Sequence, residues 1–415
     1  MRNFRNSLLV IAVLFSVSVH AQIYSWWQEN SNTLSRLRNV NFADNDTGWA
    51  FGDSSDVNGF VSGIILKTTD RGLNWSMQLT PSPNIRIYSS HFFSVTNGVT
   101  VGRLQTGGGV CMVTTNGGTS WQIDSISFPD RLYDVSFGDA NNGWTCGRNG
   151  YGARSNDGGL TWNAQTTNTA EHLYSVAFCD TSTGWMVGAD PGSGGTIIKT
   201  TDGGLNWIAQ VNTTPNDLMA IHAFSPAKAI AVGFGGTIVL TTDSGNTWQP
   251  VVSGTPEDLL AVTFTDTAHG WAGGTAGVLL VTTDGGFTWT PDTSNTTNPI
   301  NSICMKDTTL GWFCGDNGDI YFYGFSPVTV NEITGNQQGE IYPNPTEGTC
   351  FMPGLVNQPV STVSVYDILG NKLEEPITNA GSPGMIDLSA LLPGVYMIVI
   401  DTPDGGSSVT KVIRK

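Results

Sequence analysis

Basic residues are scarce in this 415-residue chain: Lys plus Arg number 18 against 34 Asp plus Glu, for a formal charge of −16. A phosphate backbone is held by a basic face, so nucleic acid is excluded as a partner. Charge of either sign is thin, at 13% of residues against roughly a quarter in ordinary globular proteins. Ala, Glu, Lys, Leu and Arg are too sparse for a coiled coil. After Val19 no apolar run approaches the roughly 20 residues that cross a bilayer, so no transmembrane segment is expected. No C-x-x-C pair occurs among the cysteines, which argues against zinc. Apolar residues, by contrast, are ample at 39%, so the chain is not disordered. What abounds is Gly (51 residues), Trp (13), Thr, Ser and Asn, the composition of short strands joined by tight turns.

Arg2 and Arg5 precede the apolar run from Leu8 to Val19, and Val19-His20-Ala21 supplies a small-residue end. This is the pattern of a secretory signal peptide over residues 1–21, cut after Ala21. Removing the two arginines takes the formal charge from −16 to −18. Cys111, Cys146, Cys179, Cys304, Cys314 and Cys350 then enter an oxidising compartment. Cys304 and Cys314 flank a predicted hairpin turn; a disulfide between them stands beside the alternative of buried free thiols.

The middle of the chain repeats. Thr-Thr-Asp-Gly-Gly-x-x-Trp, or a near form, closes on Trp75, Trp121, Trp162, Trp207, Trp248 and Trp289, with Asp70, Asp157, Asp202, Asp243 and Asp284 at its centre. Those tryptophans are spaced by 46, 41, 45, 41 and 41 residues. A second motif, Gly-Trp-x-x-Gly or a degenerate form, recurs seven times upstream, at Trp49, Val99, Trp144, Trp185, Ile230, Trp271 and Trp312. Four short strands per unit, with turn signals this regular, predict an all-β fold: a seven-bladed β-propeller over residues 22–325. The seventh unit lacks the Asp motif, and Tyr24 to Gln28 resembles the tail of a unit, with Trp27 matching Trp248. The N-terminal strand is therefore expected to complete the last blade and close the ring. In the Asp motif the carboxylate is expected to cap turn N–H groups, the glycines to take positive φ, and the Trp to pack into the next unit.

These units resemble the Asp-box of sialidases and related propellers, and the array over residues 35–324 resembles the photosystem II stability and assembly factors. That family holds other proteins, so the resemblance implies a binding role; nothing photosynthetic is visible in the chain. Residues 326–339 read as a linker. Beyond it, Tyr342-Pro343-Asn344-Pro345, Val365-Tyr366-Asp367-Ile368-Leu369-Gly370-Asn371-Lys372 and Leu392-Pro393-Gly394-Val395-Tyr396 follow in order. Residues 340–415 thereby resemble the type A C-terminal sorting domain of the type IX secretion system of Bacteroidota, expected as a small β-sandwich. The resemblance implies passage through the periplasm, handling by the outer-membrane machinery, and release or attachment at the cell surface.

Catalytic residues are not evident. The propeller has three glutamates, Glu29, Glu171 and Glu257, and none of the arginine-led start motif of sialidases. A sialidase-like or other propeller glycosidase remains the alternative reading, resting on Glu171 and Glu257, whose separation decides it. Asp44-Asn45-Asp46 alternates oxygen ligands, but no glutamate follows at EF-hand spacing, so turn capping is expected and no metal or cofactor. For binding, the first strands align on Phe42, Phe92, Phe137, Phe178, Ala223, Phe264 and Met305. Six residues earlier stand Arg36, Arg86, Arg131, His172, Asp217, Asp258 and Pro299; four earlier stand Arg38, Tyr88, Tyr133, Tyr174, Met219, Leu260 and Asn301. First strands are innermost in propellers, so Arg36, Arg38, Arg86, Tyr88, Arg131, Tyr133, His172 and Tyr174 are expected to form an arc at the channel rim. Arg with Tyr is a common composition of binding hot spots, here for an anionic protein segment or glycan.

Deleting residues 340–415 is expected to leave a folded propeller in the periplasm, because the two regions have separate patterns. Fractionation with immunoblotting checks this; surface delivery of the truncated chain refutes it.

Overall fold

The computed structural model describes residues 24–55, 61–78, 85–123, 128–189 and 194–325, and near the C-terminus 346–347, 349–351, 362–367, 373, 385–401 and 407–414. The expected signal peptide (1–21) and linker (326–339) lie outside these residues. Two compact units emerge, Tyr24–Gly324 and a second that contains Phe325–Lys415.

Within the first unit the described residues form seven antiparallel four-stranded sheets. Blade 1, for example, is Arg36–Phe42, Gly48–Ser55, Val61–Thr68 and Ser76–Met77, in that order. The first strands of blades 2 to 7 are Ile85–Phe92, Leu132–Phe137, Leu173–Phe178, Leu218–Ser225, Leu259–Phe264 and Ile300–Asp307. Each touches the first strand of the next blade, and the seventh touches the first, so the ring is closed. All seven register residues pair with the residue that opens the second motif, from Phe42 opposite Gly48 to Met305 opposite Gly311.

Apolar residues placed every second position on both faces bury each sheet against its neighbours. The junctions are aromatic. Trp49 of blade 1 stacks on Phe92 of blade 2 with centroids 3.7 Å apart. Trp144 stacks likewise on Phe178 at 3.5 Å, and Trp312 on Phe42 at 3.4 Å. The closing Trp of the second blade then meets the same ring edge-on, as Trp75 meets Phe42 at 88°.

The Asp turn serves this junction. In blade 1 the Thr68 hydroxyl donates to Asp70 Oδ1 (2.8 Å) and accepts from the Gly72 N–H (2.9 Å), while the Asn74 N–H donates to Asp70 (2.9 Å). Asp157, Asp202, Asp243 and Asp284 repeat the pattern, and Asn116 stands in for Asp in blade 2. Hydrogen bonds led by the Thr288 hydroxyl hold the Asp284 carboxyl at about 2. The turn so fixed offers a carbonyl to the preceding blade. Trp49 Nε1 donates to Gly117 O (3.2 Å), Trp144 to Gly203 O (2.9 Å) and Trp312 to Arg71 O (2.7 Å). Gly72, at φ +97°, must be Gly: a Cβ there would sit 3.3 Å from both the Trp312 and Trp75 ring nitrogens.

Blade 7 closes as its missing motif implies. Its third strand, Ile320–Phe325, pairs with Tyr24–Glu29, which forms the outer edge. One expectation is corrected here: Trp26, not Trp27, takes the place of the closing tryptophan. Trp26 is 1% exposed and packs with Trp271 and Phe313. Its carbonyl accepts from the Asn295 amide (2.8 Å), as the Trp75 and Trp207 carbonyls accept from Asn32 and Asn168. Strand alternation sends the adjacent Trp27 to the other face. Of the two readings of Cys304 and Cys314, the structure has the free thiols and not the disulfide: the register sets Cys314 opposite Ser302 and Cys304 opposite Trp312.

In the second unit, Thr349–Phe351 pairs with Met385–Asp387, and Thr362–Asp367, Gly394–Asp401 and Ser407–Arg414 form a three-stranded sheet. Cys350 and Ile386 from one sheet share a core with Val365, Tyr396, Ile398 and Val412 from the other, which makes a small sandwich.

Two predictions follow from the ring. Deleting residues 23–28 removes the outer strand of blade 7 and is expected to lower the melting temperature of the whole propeller. An unchanged melt refutes that. His91 and His222, packed between Phe93 and Phe137 and between Phe224 and Phe264, are held by burial at a pKa of about 4. The unfolded chain takes up these protons near 6.5, so stability falls as the pH drops from 6.5 towards 4. Replacing both with Asn, the residue at the same place in blade 1 (Asn41), is expected to remove about 2 kcal/mol per histidine of the stability change between pH 7 and 5. Urea titrations at the two pH values measure it.

Candidate functional site at the strand-entry rim

In every blade the first strand carries the same irregularity near its start. Pairing skips one residue: Arg38, Tyr88, Tyr133, Tyr174, Met219, Leu260 and Asn301 in turn. A bulge residue is freed from the ladder and its side chain re-aimed. Four of the eight arc residues are thus bulge residues, and the other four, Arg36, Arg86, Arg131 and His172, lie two positions ahead of them.

The structure brings these residues together. The Arg38 guanidinium lies 5.0 Å from the centre of the Tyr88 ring. Tyr88 meets Tyr133 edge-to-face at 5.6 Å, and Tyr133 meets Tyr174 at 5.3 Å. His172 stands 6.5 Å from Tyr133 and 6.1 Å from Tyr174, and its Nδ1 accepts from the Asn149 N–H at 3.2 Å. Arg131 lies 6.0 Å from the Tyr133 ring. Burial raises the Tyr133 hydroxyl pKa, against the pull of Arg131, so the phenol stays neutral and able to donate.

The guanidiniums are partly compensated. Arg36 pairs with Asp316 at 2.8 Å. Asp53, 6% exposed, accepts from Arg38 and lies 3.5 Å from Arg86, an ionic contact rather than a hydrogen bond. Asp130 lies 3.9 Å from Arg131 and 3.8 Å from Arg148. Arg103 and Arg148 escape a reading of first strands alone. Arg103 is the penultimate residue of the second strand of blade 2, directly opposite Arg86, and Arg148 opens the short turn after the second strand of blade 3. The signal for both was a basic residue four places after the second-motif Trp or its substitute. Among the described residues, five of these six guanidiniums share three carboxylates, on a chain of formal charge −16. Like charges directly across a strand pair oppose one another, so Arg86 and Arg103 favour an added anion.

Blades 5 to 7 continue the same positions with Asp217, Met219, Asp258, Leu260, Pro299 and Asn301, so the basic arc ends at blade 4. Glu171 and Glu257 stand ahead of blades 4 and 6 with blade 5 between them, and Glu257 Oε2 accepts from the Thr275 hydroxyl at 2.8 Å. The Asp44 carboxylate accepts from the Asp46 and Thr47 N–H groups at 2.9 and 2.6 Å, as a turn cap does.

Residues 113–257 match the family described as photosynthesis system II assembly factor YCF48, and residues 340–415 match the secretion system C-terminal sorting domain. The chain joins a YCF48-like propeller to a type IX sorting domain. A solved structure of YCF48 bound to D1 peptide is 19% identical, with a TM-score of 0.58, covering 72% of this chain and 94% of that one. YCF48 from Cyanidioschyzon merolae is 20% identical, also at 0.58, covering 72% and 98%. The WD40 propeller domain of Doa1 is 11% identical at 0.55, covering 73% and 96%. At these identities the structures establish the propeller fold. No curated protein matches the sequence. The sorting domain directs the chain to the cell surface or the medium. Among the described residues no helix is long and apolar enough to cross a membrane.

Proposed function

We propose that the propeller is a non-catalytic binding module, exported by its sorting domain, that captures an acidic protein segment on the arc from Arg36 to Tyr174. The observation that carries this is the continuous contact chain from Arg38 through Tyr88 and Tyr133 to Tyr174, flanked by an excess of guanidiniums. Rigid aromatic edges supply contact area at low entropic cost, and the guanidiniums supply fixed hydrogen-bond forks for carboxylates. The YCF48 structure bound to D1 peptide supports a peptide-holding role for a propeller of this shape.

Changing Arg36, Arg86 and Arg131 together to Ala is expected to weaken capture of partners from surface extracts by at least about tenfold. Wild-type capture should fall as salt rises, because the contacts are ionic. Undiminished capture by a folded variant moves the site elsewhere. Capture abolished by glycosidase treatment of the extract makes a carboxylate-bearing glycan the ligand instead.

A further inference from the structure

Blade 7 differs from the other six in chemistry as well as in connectivity. Beside its closing strand lies an open depression of about 520 Å³, lined by Gln28, Thr293, Asn295, Thr297, Asp319 and Tyr321 among others. It lies at the strand-entry end of the ring but outside the arginine arc.

Its floor is a carboxylate. Asp319 is 5% exposed and accepts from the Thr296 hydroxyl (2.6 Å), the Asn298 amide (3.1 Å) and the Gln28 amide (3.2 Å). All three donors are neutral, and among the described residues Asp319 makes no ion pair. Four residues before the end of the third-strand register, where Asp319 stands, the other blades have Ile64, Val110, Tyr151, Thr196, Thr237 and Val278. Two residues after the closing Trp, where Gln28 stands, they have Met77, Ile123, Ala164, Ala209, Pro250 and Pro291. A repeat that is apolar or hydroxylic at both places thus acquires an acid and an amide at one blade only, and they meet.

The rim is exposed and underused. Gln28, Thr293, Asn295 and Thr297 are all exposed, and the Thr293 and Thr297 hydroxyls make no hydrogen bond among the described residues. An anion is disfavoured by Asp319. A metal ion needs several bare oxygen ligands, whereas Asp319 already accepts three hydrogen bonds and no second carboxylate lines the depression among the described residues. An apolar ligand would strip water from hydroxyls and amides without replacing it. A neutral polyhydroxyl ligand suits the exposed Thr293 and Thr297 hydroxyls and the remaining amide valences of Gln28 and Asn295, since each hydroxyl both donates and accepts, while Asp319 holds Gln28 in place beneath them. We propose that this depression is a subsite for one neutral sugar residue. Its lining shares no residue with the arc.

Saturation-transfer NMR on the full chain, with the methyl glycosides of glucose, galactose, mannose and N-acetylglucosamine as probes, tests this. Transfer to at least one glycoside is expected, with affinity about tenfold weaker in Thr297→Val, which breaks no observed bond, and in Asp319→Asn. The Arg36, Arg86 and Arg131 triple variant should bind the sugar normally, which separates this outcome from failure of the arc. No transfer to any of the four probes, transfer that survives both variants, or transfer abolished by a chelator overturns the proposal. So does a lowered melting temperature in Asp319→Asn with no sugar bound by the wild type, which would make Asp319 only a latch for the closing strand.

Discussion

Three second-strand tryptophans, Trp49, Trp144 and Trp312, find a seat in the next blade, and the Asp turn (Asn116 in blade 2) is that seat. In these three junctions the indole stacks on the neighbour's register Phe and donates its N–H to the carbonyl of the residue after the turn Asp or Asn. Where the motif tryptophan is absent the junction adapts. Val99 and Ile230 replace it in blades 2 and 5, and the closing Trp162 and Trp289 of the next blades donate to their own turns, at Gly159 and Gly286. Between blades 4 and 5 the Lys199 ammonium takes the Ser244 carbonyl at 2.9 Å, and the Trp185 N–H is left without a partner. One acceptor per junction is contested by two kinds of donor. Local turn chemistry therefore decides how blades dock, which makes a motif of eight residues a fold determinant.

This is also why the architecture could be read from the sequence. A turn requiring Asp, positive-φ residues and Trp at fixed offsets leaves a mark in each repeat, and the strand register follows from it. Phe42 opposite Gly48 and its four counterparts in blades 2, 3, 4 and 6 were legible because Gly is needed where the Phe ring presses on the opposing strand; a Cβ on Gly48 would lie 2.5 Å from Phe42. Other features leave no such mark. Trp26 and Trp27 are equivalent as letters, and only packing against Trp271 and Phe313 chooses between them. The bulge at Tyr133 breaks no composition rule. Arg103 belongs to a different strand from Arg86, so only the pairing brings them face to face. The Cys304 and Cys314 spacing suited a hairpin, but the two sit on a diagonal.

The repeat supplies the scaffold, and departures from it supply the candidate sites. Blade-to-blade contacts demand similar residues at the faces, whereas the bulge position is free to vary. It is Arg or Tyr in blades 1 to 4 and Met, Leu or Asn in blades 5 to 7. A ring with seven nearly equivalent blades thereby has a basic, aromatic side and another side with different chemistry. The arc's side chains stand on blades 1 to 4 and the depression on blade 7, and they approach each other at the turn where Arg36 meets Asp316, three residues before Asp319.

The closing strand carries a temporal consequence. Gln28 and Asp319 touch across 291 positions of sequence, and the loop they seal contains almost the whole propeller. The entropy lost in sealing such a loop grows only slowly with its length, so the join is affordable. It nevertheless cannot form until the final blade exists, and the sorting domain comes later still in the chain. Any chain interrupted before blade 7 is left with an unsealed sheet edge and no sorting domain. Completeness of the ring and possession of the export address thus arrive together.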